Sequence, residues 1–192
     1  GSMGAGGKGY FALDVTEPGT PTGTSGFTQS AANAQKIVMW DRTGYWFGTE
    51  DPDAGHSYSR PQVSDVFCPA VVDEVGACVA CERTSALIVG NGYNSTNERA
   101  VLYIINVENG KVIKKIYTDL TIGGSNGLST PAIYDANVDG VADYVYAGDL
   151  KGKLWRFDLT NDYDLINDTN YADDHDWTAN LPGATAAEPL LD

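Results

Sequence analysis

Apolar and polar residues alternate along short runs of this chain, and the runs recur in a fixed order. Gly9-Tyr10-Phe11-Ala12-Leu13-Asp14-Val15-Thr16, Val101-Leu102-Tyr103-Ile104-Ile105-Asn106-Val107 and Lys153-Leu154-Trp155-Arg156-Phe157-Asp158-Leu159-Thr160 are each aromatic-rich, with an Asp or Asn just before a turn. Successive side chains of a strand point to opposite faces, so this alternation predicts half-buried β-strands. Two further pairs match upstream. Ser59-Arg60-Pro61-Gln62-Val63 is similar to Ser129-Thr130-Pro131-Ala132-Ile133, and Leu87-Ile88-Val89-Gly90-Asn91-Gly92 to Val145-Tyr146-Ala147-Gly148-Asp149-Leu150. Lys36-Ile37-Val38-Met39-Trp40 and Lys111-Val112-Ile113-Lys114-Lys115-Ile116-Tyr117 follow the first two aromatic runs.

The repeating unit is therefore four strands: a Pro-led inner strand, an apolar strand ending in Gly, an aromatic strand and an outer edge strand. Four-stranded antiparallel units in series are propeller blades. The expected fold is all-β, a partial β-propeller with long loops. The chain is expected to begin in the third strand of one blade, to hold a complete blade over about 59–118 and most of another from about 129. A ring takes at least four blades. Residues 7–192 are accordingly expected to form one propeller segment of about two to three blades, a fragment of a larger protein. Gly1-Ser2-Met3 looks like a cloning scar, so residues 1–6 are expected to be foreign or disordered. The Thr-, Gly-, Ser- and Pro-rich stretch Glu17–Gln35 reads as a mobile surface insertion.

Composition narrows the function. Lys and Arg number 12 against 26 Asp and Glu, a formal charge of −14. That balance disfavours nucleic acid and anionic lipid as partners. No apolar run approaches the length of a membrane span, so no membrane insertion is expected. The 22 Gly and 11 Tyr suit a turn-rich β protein.

One loop carries distinctive chemistry. Asp135-Ala136-Asn137-Val138-Asp139-Gly140-Val141-Ala142-Asp143 reads D-x-N-x-D-G-x-x-D. Oxygen side chains occupy positions 1, 3, 5 and 9, and a Gly follows position 5, where a loop wrapping an ion turns sharply. Two carboxylates about 5 Å apart repel by roughly 3 kcal/mol at an effective dielectric of about 20. A central cation reverses that sign. The expected ligands for Ca²⁺ are the side chains of Asp135, Asn137, Asp139 and Asp143 and the backbone carbonyl of Val141. Position 12 is Tyr146 rather than Glu, and the flanks alternate like strands, so the loop belongs between strands and not in a helical EF-hand. An Asx-rich hairpin turn without an ion is the plainer alternative.

Three stretches carry a family resemblance. Gly7-Lys8-Gly9-Tyr10-Phe11-Ala12-Leu13-Asp14-Val15-Thr16-Glu17-Pro18, Ile88-Val89-Gly90-Asn91-Gly92-Tyr93-Asn94-Ser95 and Tyr146-Ala147-Gly148-Asp149-Leu150-Lys151-Gly152-Lys153-Leu154-Trp155-Arg156-Phe157-Asp158-Leu159 resemble the PilY/PilC-type pilus assembly and tip-adhesin proteins. Gly127-Leu128-Ser129-Thr130-Pro131-Ala132 fits the same pattern. Blade cadence alone is also similar to quinoprotein-type propellers. The pilus resemblance implies a secreted, cell-surface protein at the tip of type IV pili, with outer-membrane or periplasmic association as an alternative. It implies a propeller with a calcium loop, a part in pilus extension against retraction, and surface adhesion. Expected partners are other pilus-tip or minor pilin proteins and a host or abiotic surface. The rivals are a quinone-dependent dehydrogenase-like enzyme, weakened by the lack of an adjacent Cys-Cys pair, and a purely structural adhesin scaffold.

The sequence departs from the family pattern over residues 65–83, an insertion holding Cys68, Cys78 and Cys81. In a secreted protein these imply a disulfide with one cysteine left over. A half zinc site at Cys78-Val79-Ala80-Cys81 is the alternative. His56 beside Ser57 and Ser59 suggests a hydrolase only weakly, because no nucleophile elbow surrounds them. Trp40 and Trp155 read as inter-blade packing. Asp162, Asp164, Asp168, Asp173, Asp174 and Asp176, with His175 among them, read as a solvated acidic loop.

Overall fold

The computed structural model describes residues 1–16, 31–42, 51–68, 82–119, 122–160 and 189–191. Its strands are β1 (Phe11–Leu13), β2 (Val38–Asp41), β3 (Gln62–Cys68), β4 (Glu82–Gly90), β5 (Val101–Asn106), β6 (Val112–Tyr117), β7 (Ala132–Tyr134), β8 (Tyr144–Gly148), β9 (Leu154–Asp158) and β10 (Pro189–Leu191). They pair into three sheets, β1-β2, β3-β4-β5-β6 and β7-β8-β9-β10, every pairing antiparallel. None of these sheets closes on itself. The architecture is a partial, open β-propeller, as the fourfold strand pattern predicts. β3–β6 form a whole blade, and β10 supplies the fourth strand of the next.

Each turn after an aromatic strand is closed by the Asx residue that the pattern singles out. Asp14 Oδ1 accepts the Thr16 N–H and hydroxyl at 2.9 and 2.7 Å, and Asp158 Oδ1 does the same for Thr160. Asn106 Oδ1 accepts the N–H groups of Glu108 and Asn109. These side chains replace backbone partners that the strand has just lost.

The middle blade is buried on both faces. Leu87, Val89, Val101, Tyr103 and Ile105 pack with Tyr10 and Trp40 of the first sheet's region. Ala86, Ile88, Leu102, Ile104 and Ile116 pack with Val145, Ala147, Trp155 and Phe157 of the third sheet. Each larger aliphatic side chain among them contributes roughly 1.5–3 kcal/mol when fully buried. Both tryptophans therefore sit between blades. Trp40 Nε1 donates to the Val107 carbonyl at 2.6 Å. Its ring lies over Gly110, whose φ is +67° and where a Cβ would stand 2.6 Å from a ring carbon.

Two expectations about element bounds are corrected. Lys36-Ile37-Val38-Met39-Trp40 is not all strand: Ala31–Ile37 is a helix, α1, and only Val38–Asp41 pairs with β1. The run Ala31-Ala32-Asn33-Ala34-Gln35-Lys36 is made largely of strong helix formers, which outweighs the β pattern until Val38. The Glu17–Gln35 insertion is thus ordered at its C-terminal end, and its remainder lies outside the described residues. The cysteine-bearing insertion is shorter than 65–83, because β3 and β4 stay in register from Gln62↔Ile88 out to Cys68↔Glu82. Cys78 and Cys81 lie outside the described residues. Near the start of the chain, Met3 N–H donates to Ser57 Oγ at 3.0 Å, and Ser2 bridges Tyr10.

Candidate metal centre

The β7–β8 connection is the D-x-N-x-D-G-x-x-D loop, so it lies between the first and second strands of a blade. Its base is anchored by apolar burial: Val141 and Ala142 are buried, whereas Val138 at the apex is 86% exposed. The loop closes on its own carboxylates. Asp135 Oδ1 accepts N–H groups from Val138 and Asp139 at 2.7 and 3.2 Å, and its Oδ2 accepts the Gly140 N–H at 2.7 Å. Asn137 Oδ1 accepts the Asp139 N–H, and its Nδ2 donates to Asp139 Oδ2, both at 3.0 Å. Asp139 Oδ1 accepts the Val141 N–H at 2.8 Å, and Asp143 Oδ2 the Ala136 N–H at 2.7 Å. The wrap requires left-handed backbone at Val138 (φ +61°) and Gly140 (φ +86°). Gly bears this without strain; a β-branched Val does not.

The donor set fits calcium in kind, since every candidate atom is a hard oxygen. The cage is not preformed. Among the described residues no three His, Cys, Asp or Glu side chains are grouped as a metal requires. Loop N–H groups occupy positions a cation would compete for. Acceptor capacity is left over: each ionised carboxylate offers about four lone-pair sites, against three N–H partners for Asp135 and one for Asp143. The five expected ligands thus share one loop, whose carboxylates meet several of its own N–H groups in this conformation.

The other candidates have structural roles. Ser57 Oγ donates to the Gly7 carbonyl while accepting from Met3, and Ser59 Oγ accepts the Gly90 N–H at 3.0 Å. His56 packs against Tyr93, ring centroids 5.2 Å apart, and its Nδ1 is buried with no hydrogen-bond partner among the described residues. His175 and the acidic tail lie outside the described residues.

Sequence reasoning missed a second carboxylate group. Asp51 and Asp53, in the turn before β3, are buried. Arg99 grips Asp53 with two nitrogens at 2.7 and 3.0 Å, and Asn97 Nδ2 adds a third bond at 2.6 Å. Lys115 Nζ reaches Asp51 at 2.6 Å and Asp53 at 3.3 Å. The Tyr103 hydroxyl donates to Asp51 at 3.0 Å, and the Arg99 guanidinium lies 4.1 Å from the Tyr117 ring centroid. Burial alone would raise the Asp53 carboxyl; the Arg99 and Asn97 bonds and the nearby cations outweigh it and hold the group below its ordinary value. Burial, reinforced by Asp51, pushes the Tyr103 phenol well up. The available signal was Tyr103 within the aliphatic run 101–105, with Lys115 directly across from it on β6. A buried Tyr hydroxyl and a Lys on one sheet face call for acceptors. Asp149 is a third such group, just beyond the Gly that ends β8. It accepts from Asn126 Nδ2 and Trp155 Nε1, both at 2.9 Å, and from the Lys151 and Lys153 N–H groups.

A family model described as the PilY1 beta-propeller domain matches residues 1–181. This chain belongs to the PilY1 β-propeller family. It is 40% identical over 160 residues to the type IV pilus biogenesis factor PilY1 of Pseudomonas aeruginosa strain PAO1, covering 83% of this chain and 11% of that protein. A PilY1 homolog of Xylella fastidiosa is 36% identical over 170 residues, 83% of this chain and 9% of its own length. The crystal structure of the Pseudomonas aeruginosa PilY1 C-terminal domain matches with a TM-score of 0.60 at 40% identity, over 83% of this chain and 26% of that one. The chain therefore spans about a tenth of the length of these curated relatives. The expected family and the open propeller agree with these matches. Among the described residues no helix is long and apolar enough to cross a membrane.

Proposed function

We propose that this chain is a calcium-responsive propeller segment of a secreted, cell-surface type IV pilus biogenesis factor. In this reading it helps set pilus extension against retraction and supports surface adhesion, with pilus-tip or minor pilin proteins and a host or abiotic surface as partners. The names of the relatives support the pilus assignment and favour a non-enzymatic role. The observation that carries the calcium reading is the β7–β8 loop, where four oxygen side chains and one carbonyl fall on alternate positions around Gly140. Binding would draw these side chains off the loop's N–H groups and onto the ion. Extracellular modules of this chemistry bind calcium at about 10⁻⁴ to 10⁻³ M. Cys68, at the end of β3, is proposed to pair with one of the two cysteines that follow it.

The test is a thermal melt of wild type and Asp139→Ala with millimolar calcium or a chelator. At about a hundredfold excess over the dissociation constant, calcium stabilises wild type by about 2.7 kcal/mol and leaves the variant unmoved. Equal wild-type melts in calcium and chelator would end the calcium reading. The loop's many internal hydrogen bonds also favour a second reading, a scaffold in which calcium only stiffens one turn. Pilus retraction measured with a folded Asp139→Asn variant separates the two: a switch alters retraction, a scaffold does not.

A further inference from the structure

The loop is not held by its own blade alone. Asp65 lies on β3 of the preceding blade and meets the loop directly through its backbone and indirectly through Arg83. Its carbonyl accepts the Ala142 N–H at 2.8 Å, within a parallel bridge between Asp65 and Val141. Its carboxylate holds Arg83 of β4, Nε to Oδ2 at 2.6 Å, with the Ser85 hydroxyl on Oδ1 at 2.7 Å. Arg83 then donates from Nη1 to the Asp139 carbonyl at 3.3 Å. Its Nη2 fills the space beside Gly140, 2.8 Å from where a Cβ would stand. Positions 5 to 8 of the loop are thus braced from the neighbouring blade. The Asp65 backbone and side chain form this brace, and Arg83 extends it.

We infer that Asp65 and Arg83 are positioning residues for the β7–β8 loop, and that a cation taken by the loop tightens the joint between two blades. The inference rests on the calcium reading above. Arg83 makes its contact through the Asp139 backbone, and its charge is matched by Asp65, so its part is to set the path of the chain. Coupling is reciprocal: if the joint favours the ion-binding shape of the loop, the ion favours the joint.

The test uses the whole chain and calcium chloride as the only ligand. Calcium affinity is measured by calorimetry for wild type, Arg83→Met and the charge-neutral double variant Asp65→Asn/Arg83→Met. Hydrogen exchange at the Ala142 amide is followed in calcium and in chelator. Calcium is expected to slow Ala142 exchange in wild type. Both variants should bind calcium at least about 5-fold more weakly, with faster Ala142 exchange even in chelator. Wild-type affinity in the double variant, or tighter binding by Arg83→Met, overturns the positioning role. If wild type binds no calcium, the calcium reading fails, and the chelator arm alone judges the joint: unchanged Ala142 exchange in the variants shows that the Asp65 and Arg83 side chains do not position the loop.

Discussion

Two groups of aspartates in this chain have the same chemistry and opposite surroundings. Asp51 and Asp53 are buried beneath the middle blade, where Arg99 and Lys115 meet them directly. Asp135, Asp139 and Asp143 stand on the exposed β7–β8 loop, where their carboxylates meet the loop's own N–H groups and Asn137. In the first group the countercharge is part of the protein. A buried carboxylate without one is too costly to ionise. In the second, N–H dipoles satisfy geometry and leave negative charge facing solvent, so a cation can still be accepted from outside. The number of acidic residues does not separate a strut from a candidate ion site. The source of the countercharge does.

The sharpest way to break the comparison is Asp53→Ala. It removes both Arg99 bonds and the Asn97 bond, and leaves a largely buried guanidinium without its carboxylate. The expected loss is about 3–5 kcal/mol, read as a lower urea midpoint at an unchanged slope. Asp135→Ala is the matched change in the loop. Without an ion it orphans the Val138 and Gly140 N–H groups, while the Asp139 N–H keeps Asn137; water reaches the orphans, and the expected loss is about 1 kcal/mol. In saturating calcium the same variant should also lack the wild-type gain. If the two substitutions cost the same in chelator, the loop is as much a part of the core as the buried pair, and the contrast fails.

The sequence shows these two groups unequally. The loop declares itself because its residues are consecutive: Asp135, Asn137, Asp139 and Gly140 keep their spacing whatever the rest of the chain does. The buried group is assembled from Asp51 and Asp53 ahead of β3, Asn97 and Arg99 between β4 and β5, and Tyr103 and Lys115, of which only the last two are paired by the register of β5 on β6. Local spacing carries no trace of it beyond Tyr103 in an aliphatic strand and Lys115 on the next. The fold is legible for a related reason. Period-two alternation and the repeated Pro, Gly and Asx positions report strand and turn directly, and Pro61 and Pro131 each stand just before an inner strand. Boundaries fail where local propensity competes, as in the Ala-rich start of Ala31–Ile37. The brace through Asp65 and Arg83 is hidden because the family pattern assigns both residues to an insertion, whereas both lie on paired strands.

The mildest perturbation is acid, because it leaves every side chain in place and acts only at low pH. Asp53 is held below its ordinary value by Arg99, Asn97 and Lys115 against the opposing effect of burial. A carboxyl lowered by folding contributes stability that is present above its unfolded value, about 3.9, and lost as pH falls through the folded value. Protonation also relieves the chain's self-repulsion, which has the opposite sign at a formal charge of −14. The raw stability curve therefore mixes two effects, and the comparison with Asp53→Asn separates them. The stability gap between wild type and Asp53→Asn should be constant from neutrality down to about pH 5 and should narrow below about pH 4. Urea midpoints across that range measure it. A gap that stays constant down to about pH 3 would mean that shape and hydrogen bonding, not charge, hold the buried group together. The distinction between an internal and an external countercharge would then lose its physical basis.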